Sequence, residues 1–251
     1  MSIVVAASAI GEMIAKGLAK KFGTSVIERW TRYRAQRFLE GFCKELGREF
    51  QSKVTNGKVD EALDEILSNE KKSEALFDAY RAVSLAKSKK IGPRVIGLLT
   101  GKIVIEDRAA TFLEQDFFVV AEQLSDDELL EFASFVRECD KNLLERKKDI
   151  KEVGGGIEIQ LHEENLDSNW KSKGSVNLAP IDLREYYGVW ALKLRNVGLF
   201  SERIDERSYD YQEDSERHID EPGSMREIKW VLSFPSNLRE LATLIERAIP
   251  D

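Results

Sequence analysis

Apolar residues recur every three or four positions through the first two thirds of the chain, then switch to strict alternation after a glycine run. The pattern predicts a helical part followed by a mixed one. Ile3, Ala7, Ile10, Ile14, Leu18 and Phe22 form one stripe, and the small residues Ala6, Ala9, Gly11 and Gly17 suit close packing against another helix. The basic residues Lys16, Lys20 and Lys21 leave open a helix lying on a membrane surface. Gly23 and Thr24 punctuate the chain, and Thr24 is a candidate N-cap for a second helix reaching about Ser52. Its stripe is Ile27, Trp30, Phe38, Phe42 and Leu46, interrupted by Arg34. Further helices are predicted over 58–68 (Val59, Leu63, Ile66, Leu67) and 70–87 (Leu76, Ala79, Tyr80, Val83). The run 91–105 is apolar but holds Gly92, Pro93, Gly97 and Gly101, which predicts only a short helix after Pro93. A helix over 106–123 follows. Ser125-Asp126-Asp127-Glu128 then has capping-box spacing ahead of Leu129, Leu130, Ala133, Phe135 and Val136.

Gly154-Gly155-Gly156 is the clearest break. It divides the expectation into an all-helical domain over 1–153 and a small α+β domain over 157–251. Ile157, Ile159 and Leu161 alternate as a half-buried strand does. A polar loop is expected over 163–177. Asp182 and Glu185 have the spacing of a helix start, Leu183, Tyr187, Trp190, Leu194 and Val197 mark its buried face, and Gly198 sits at its C-cap. Residues 202–221 carry nine Asp/Glu and three Arg and no apolar run, and read as an acidic loop. Ile228, Trp230, Leu232 and Phe234 alternate, Pro235 stops the strand, and Ser236 precedes an amphipathic helix with Leu238, Leu241, Leu244 and Ile245.

The segment from Tyr187 to Phe200, ending in Asn196-Val197-Gly198-Leu199-Phe200, together with the closing strand and helix, resembles a winged-helix module over about residues 180–249. The resemblance implies a mainly α protein with a winged-helix-like α+β domain. It departs from the DNA-reading pattern in its wing, where basic residues usually meet phosphates. Here Asp210, Glu213, Asp214 and Glu216 would be repelled by a duplex and would suit a basic protein surface. A solvated connecting loop explains the same charges. A helical body with such a tail is also similar to prophage-borne antiphage exclusion proteins of temperate coliphages. That likeness implies a non-enzymatic cytoplasmic inhibitor that binds a phage replication or single-stranded-DNA-binding protein.

Charge sharpens the picture. The first 58 residues hold 11 Lys/Arg and five Asp/Glu, while the whole 251-residue chain carries a net charge of −7, so a basic head precedes an acidic body. Arg29, Arg32, Arg34 and Arg37 interleave with Trp30, Tyr33 and Phe38, and Lys193 and Arg195 lie on the segment that resembles a recognition helix. Either set is a candidate nucleic-acid or subunit contact, which keeps open a winged-helix DNA-binding regulator. An amphipathic core helix with solvated or paired arginines gives the same pattern. Self-association through the N-terminal domain is expected, because its apolar faces exceed what two helices cover.

Two histidines, His162 and His218, lie far apart, and two cysteines, Cys43 and Cys139, are expected to be buried thiols, so neither a metal centre nor a cofactor is expected. The P-loop spacing and the Gly-x-Ser-x-Gly elbow are both missing. No enzyme chemistry is therefore expected. No run reaches the roughly 18 apolar residues of a membrane span. The N-terminus lacks a basic lead-in to an apolar run and is not read as a signal peptide.

Overall fold

The computed structural model describes residues 32–55, 66, 68–166, 181–210 and 224–249. The expected helix over 1–22, the first part of the one over 58–68, Trp30 and Arg29 lie outside these. The described residues are mostly helical with one four-stranded antiparallel sheet. They group into two compact units: one holds the chain up to Val136 and again from Arg239, the other Arg137–Leu238. The expected division into 1–153 and 157–251 differs from this grouping at both ends.

The helical unit contains α1 (Arg32–Thr55), α2 (Glu70–Leu85), α3 (Ile91–Ile105), α4 (Phe112–Gln123), most of α5 (Asp126–Leu144) and all but the first residue of α8 (Leu238–Ala248). Helix α3 is its axis. Twelve of its 15 residues are buried, which is why its sequence is apolar all round rather than amphipathic. The glycines that read as helix breakers are contact points instead. A Cβ on Gly97 would lie 2.1 Å from the Phe38 carbonyl oxygen of α1, and one on Gly41 would lie 2.3 Å from the Arg94 carbonyl oxygen of α3. Two helix backbones thus touch, with Phe38, Phe42 and Leu39 buried beside the crossing. Pro93 falls in the first turn, where a missing N–H costs nothing.

The start of α3 is closed by a residue far away in sequence. Asp126 Oδ1 accepts hydrogen bonds from the backbone N–H groups of Ile91 (2.8 Å) and Lys90 (3.1 Å) and from the Ser88 hydroxyl, and Oδ2 accepts from Lys89 N–H (3.3 Å). Burial alone would raise the Asp126 carboxyl, but these four donors outweigh it and hold it below the usual carboxylate range. Asp126 lies in the first turn of α5, behind the expected capping box: Glu128 N–H donates to Ser125 Oγ and Ser125 N–H to Glu128 (2.8 Å).

The helix expected over 106–123 is interrupted. Asp107 has φ of +50°, which a continuing helix does not allow. Helix α4 starts afresh behind a second capping box, Thr111 with Glu114. Arg108 donates two hydrogen bonds of 2.6 Å to the buried Glu114, which keeps that carboxyl charged and low despite burial. At the other end of the chain, α8 is fastened within the helical unit. Lys44 Nζ donates to the Arg247 carbonyl (2.9 Å), Arg94 to the Ala248 carbonyl (3.2 Å), Lys102 pairs with Glu240 and Arg247 with Glu45. Two carbonyls of the last turn thus find cationic donors.

The second unit is built on a sheet of order β1-β2-β4-β3: β1 (Ile150–Val153), β2 (Gly156–Leu166), β3 (Ser201–Asp210) and β4 (Ser224–Pro235). Gly154 and Gly155, at φ of +58° and +81°, form the two-residue turn between β1 and β2, so the glycine run joins paired strands. Between β2 and β3 lie the short helices α6 (Leu183–Tyr187) and α7 (Val189–Asn196). The single helix expected there breaks at Gly188, whose φ of +96° and ψ of −177° belong to glycine alone. Gly198 closes α7 with φ of +80°, as its position in the sequence predicts. The side of the sheet that carries Ile228, Trp230, Leu232 and Phe234 is buried. Phe200 bridges it to α7, with ring centroids 5.3 Å from Phe234 and 5.8 Å from Trp190.

Candidate partner-binding ribbon

The expected acidic loop over 202–221 needs correction. Residues 201–210 form strand β3, paired along its whole length with β4 from Ser201↔Ser233 to Asp210↔Ser224. The polar stretch at 163–166 likewise belongs to β2, paired with β4 down to Leu166↔Arg226. Both were hidden because charged residues occupy both faces of these strands, and Ile204 is the one aliphatic residue of β3. What connects β3 and β4, residues 211–223, lies outside the described residues. It includes Glu213, Asp214 and Glu216. Asp210 is the last residue of β3, so the ribbon delivers the chain into that acidic stretch.

The described stem of the ribbon balances its own charge. On one face Arg203 donates from both terminal nitrogens to Glu158 of β2, at 2.8 Å each, and also to Ser233 Oγ (3.0 Å) and Asp205 (2.9 Å). Lys151 of β1 reaches the same Glu158 at 3.1 Å. The bidentate guanidinium, with the lysine added, pulls the Glu158 carboxyl down to about 2. Lys229 lies 2.7 Å from Glu227 and 3.9 Å from Glu163. On the opposite face Arg226 pairs with Glu206 at 2.5 Å. These are cross-strand and diagonal neighbours, as antiparallel register brings together.

The described candidate cations lie on α1 and α7. Arg195 of α7 pairs with Glu202 of β3 at 3.0 Å, so one of the two candidate cations of α7 is engaged by the ribbon itself. Lys193 is half-buried on α7 and also has a partner. On α1, Arg37 lies over the Tyr33 ring at 4.7 Å and donates to Glu40 at 2.8 Å. Arg34 is half-buried, and its Nε has no acceptor among the described residues. Arg32 opens the described part of α1, and Arg29 lies outside it.

No group of His, Cys, Asp and Glu among the described residues is arranged to hold a metal ion. His162 of β2 sits by Trp230, ring centroids 5.1 Å apart, and 3.5 Å from Glu164. Both cysteines are free thiols, and burial pushes Cys43 up to about 12, far from a reactive thiolate. No described helix is long and apolar enough to cross a membrane. No family model, no curated protein and no solved structure matches the chain.

Proposed function

We propose that this chain is a non-enzymatic interaction protein whose second unit is a winged-helix-like module that docks its acidic wing on a basic protein surface. The observation that carries the reading is the element order of that unit. The end of α5 is followed by the β1–β2 hairpin, by the directly linked pair α6 and α7, and by the β3–β4 ribbon, with β4 between β2 and β3 in the sheet. That order supports reading the unit as a winged-helix-like module with β1 added at the edge. The ribbon is the wing, and its connection carries Glu213, Asp214 and Glu216. The pairing of Arg195 with Glu202 favours a protein partner over a duplex, since a helix that reads DNA needs its cations free for phosphates and bases. Complementary fields between this wing and a basic groove would speed encounter.

In the setting of phage exclusion, which rests on the sequence resemblance, the partner is a phage single-stranded-DNA-binding protein, whose DNA groove is basic. The experiment is kinetic binding of the purified full chain to such a protein across a salt series. The variant D210N/E213Q/D214N/E216Q should associate more slowly and with a flatter salt dependence. Unchanged association at low salt overturns the wing reading. Steep salt-dependent binding of the wild-type chain to duplex DNA would favour a DNA-binding regulator instead.

A further inference from the structure

The turn that joins α2 to α3 displays three lysines at the end of the helical unit where α2 and α4 stop and α3 and α5 begin. It is pinned from inside. Ser88 is buried, Lys87 N–H donates to the Glu122 carbonyl (2.8 Å), and Asp126 accepts from the N–H groups of Lys89 and Lys90. With Ser88 turned inward, the side chains of Lys87, Lys89 and Lys90 stand exposed. They line an open recess of about 470 Å³ together with the exposed aliphatic residues Leu130 and Ile249. Leu85, two positions before Lys87, is exposed as well. None of the three ammonium groups has a partner among the described residues. Asp126 is engaged by its four donors, so Asp127 is the one acid of the lining left to oppose them. The placement works against the helix it precedes. Lys90 is the N-cap residue of α3 and supplies no side-chain cap, and the first turn of α3 holds no acid. Cations at a helix N-terminus oppose its dipole. A local rule broken in this way, without a structural return, is the mark of a surface kept for another purpose.

We infer that this end of the helical unit docks on the surface of an anionic lipid bilayer, with Lys87, Lys89 and Lys90 meeting headgroup charges and Leu85, Leu130 and Ile249 entering the headgroup boundary. The make-up of the patch selects that occupant. Protein interfaces are depleted in lysine, and a nucleic-acid groove draws on arginine forks and aromatic stacking. The lining holds no arginine and no aromatic ring. Lysine stems lie along apolar surface and carry their hydrated ammonium groups at headgroup depth. Aliphatic side chains beside them gain from leaving water. The attraction acts over about 8–10 Å at ordinary salt, so the local excess of three ammonium groups over Asp127 counts, and not the net charge of −7. The contact uses no residue of the β3–β4 ribbon and stands apart from the partner-binding reading. It is also distinct from a surface helix at residues 1–22.

The test is flotation of the full chain with phosphatidylcholine vesicles containing about one third phosphatidylserine, against vesicles of phosphatidylcholine alone. The chain should float with the anionic vesicles at low salt, stay behind with the neutral ones, and be released at about 0.5 M salt. K87Q/K89Q/K90Q should weaken partitioning by about 100-fold, since each lysine near the surface contributes about fivefold. K87R/K89R/K90R keeps the charges and should keep the binding. L85S/I249S should weaken it by about tenfold. K16Q/K20Q/K21Q, which removes the cations of the N-terminal stripe, should leave it within about twofold. Circular dichroism checks that each variant is folded, and should the glutamine triple variant unfold, L85S/I249S and K16Q/K20Q/K21Q decide between the two surfaces. No flotation at low salt, equal flotation with both vesicles, unchanged partitioning of K87Q/K89Q/K90Q, or loss of binding in K16Q/K20Q/K21Q overturns the inference and leaves these lysines as a solvated turn.

Discussion

Removing the Asp126 carboxylate should weaken the helical unit far more than removing the neighbouring Asp127 carboxylate. In Asp126→Ala three backbone N–H groups at the start of α3 and the Ser88 hydroxyl lose their acceptor at once. Loss of one capping side chain costs about 1 kcal/mol. Ser88 raises the figure, because it is 1% exposed and its hydroxyl would be left without an acceptor while still accepting from Gly92 N–H at 2.6 Å. A stranded buried donor costs about 1–3 kcal/mol. The sum is about 2–4 kcal/mol, or a fall in Tm of about 5–12 °C for a unit of this size. Asp127, the next acid in the same turn, serves as the control. Asp127→Ala removes only a charge near the N-terminus of α5, about 0.5 kcal/mol. Asp126→Asn keeps one acceptor but presents an amide N–H to Lys89 N–H, so it should fall between the two.

The pH dependence follows from the same bonds. The Asp126 carboxyl is held below its unfolded value near 3.9, so its stabilisation is complete above about pH 5 and is lost as pH falls through the depressed folded value. Urea unfolding of the three variants and the wild type at pH 7 and pH 3, followed by circular dichroism, measures both effects. The wild type should lose more stability on acidification than Asp126→Asn. If Asp126→Ala costs no more than Asp127→Ala, or if acid weakens wild type and Asp126→Asn equally, the long-range cap does not hold α3.

Two further outcomes are expected. Gly97→Ala should destabilise by about 1–3 kcal/mol in urea titration even though alanine is the better helix former by about 1 kcal/mol, because its Cβ would lie 2.1 Å from the Phe38 carbonyl oxygen; a more stable variant would mean that α1 and α3 do not touch there. The Glu158 carboxyl should titrate by carbon-detected NMR with a midpoint near 2 in the wild type and near the ordinary glutamate value in Arg203→Gln, and a wild-type midpoint near 4 would refute the bidentate pair.

What the sequence reveals here is local, and what it hides is long-range. The Ser125–Glu128 box, the αL cap at Gly198 and the alternation at 228–234 each depend on residues within one turn or one strand, and each is seen in the fold. The box at Thr111–Glu114 has the same signature but was masked by reading 106–123 as one helix across Asp107. Strand β1 buries only Ile150 of its four residues, so it offers no alternation to detect. Strand β3 is legible only through partners on β4, β2 and α7, which lie up to 45 positions away. Asp126 reads as an ordinary first-turn acid, and nothing near it in sequence tells that it caps the start of α3, 35 positions earlier. The burial of the unpartnered Glu202 oxygen depends on the packing around β3, and spacing carries no signal for that.

The acids of this region divide between the paired strands, here the stem, and the connecting sequence after Asp210, here the tip, and their charges should do different work. In the stem Glu202 meets Arg195, Asp205 meets Arg203 and Glu206 meets Arg226, so these acids project little net field. From Asp210 to Glu221 the sequence holds six acids and one arginine, so the negative excess of the region belongs to the connection between β3 and β4. Screening limits its reach to about 8–10 Å at ordinary salt, which confines steering to a partner already near that end. Reversing a stem pair as Glu206→Arg with Arg226→Glu keeps both the attraction and the net charge. It should leave the association rate with a basic partner within about twofold, while neutralising the tip should slow it by about tenfold or more at low salt. Stopped-flow association at low and high salt separates the two. If the stem reversal slows association as much as the tip variant, recognition reads the arrangement of paired charges on the strands, and long-range attraction by the tip is not its cause.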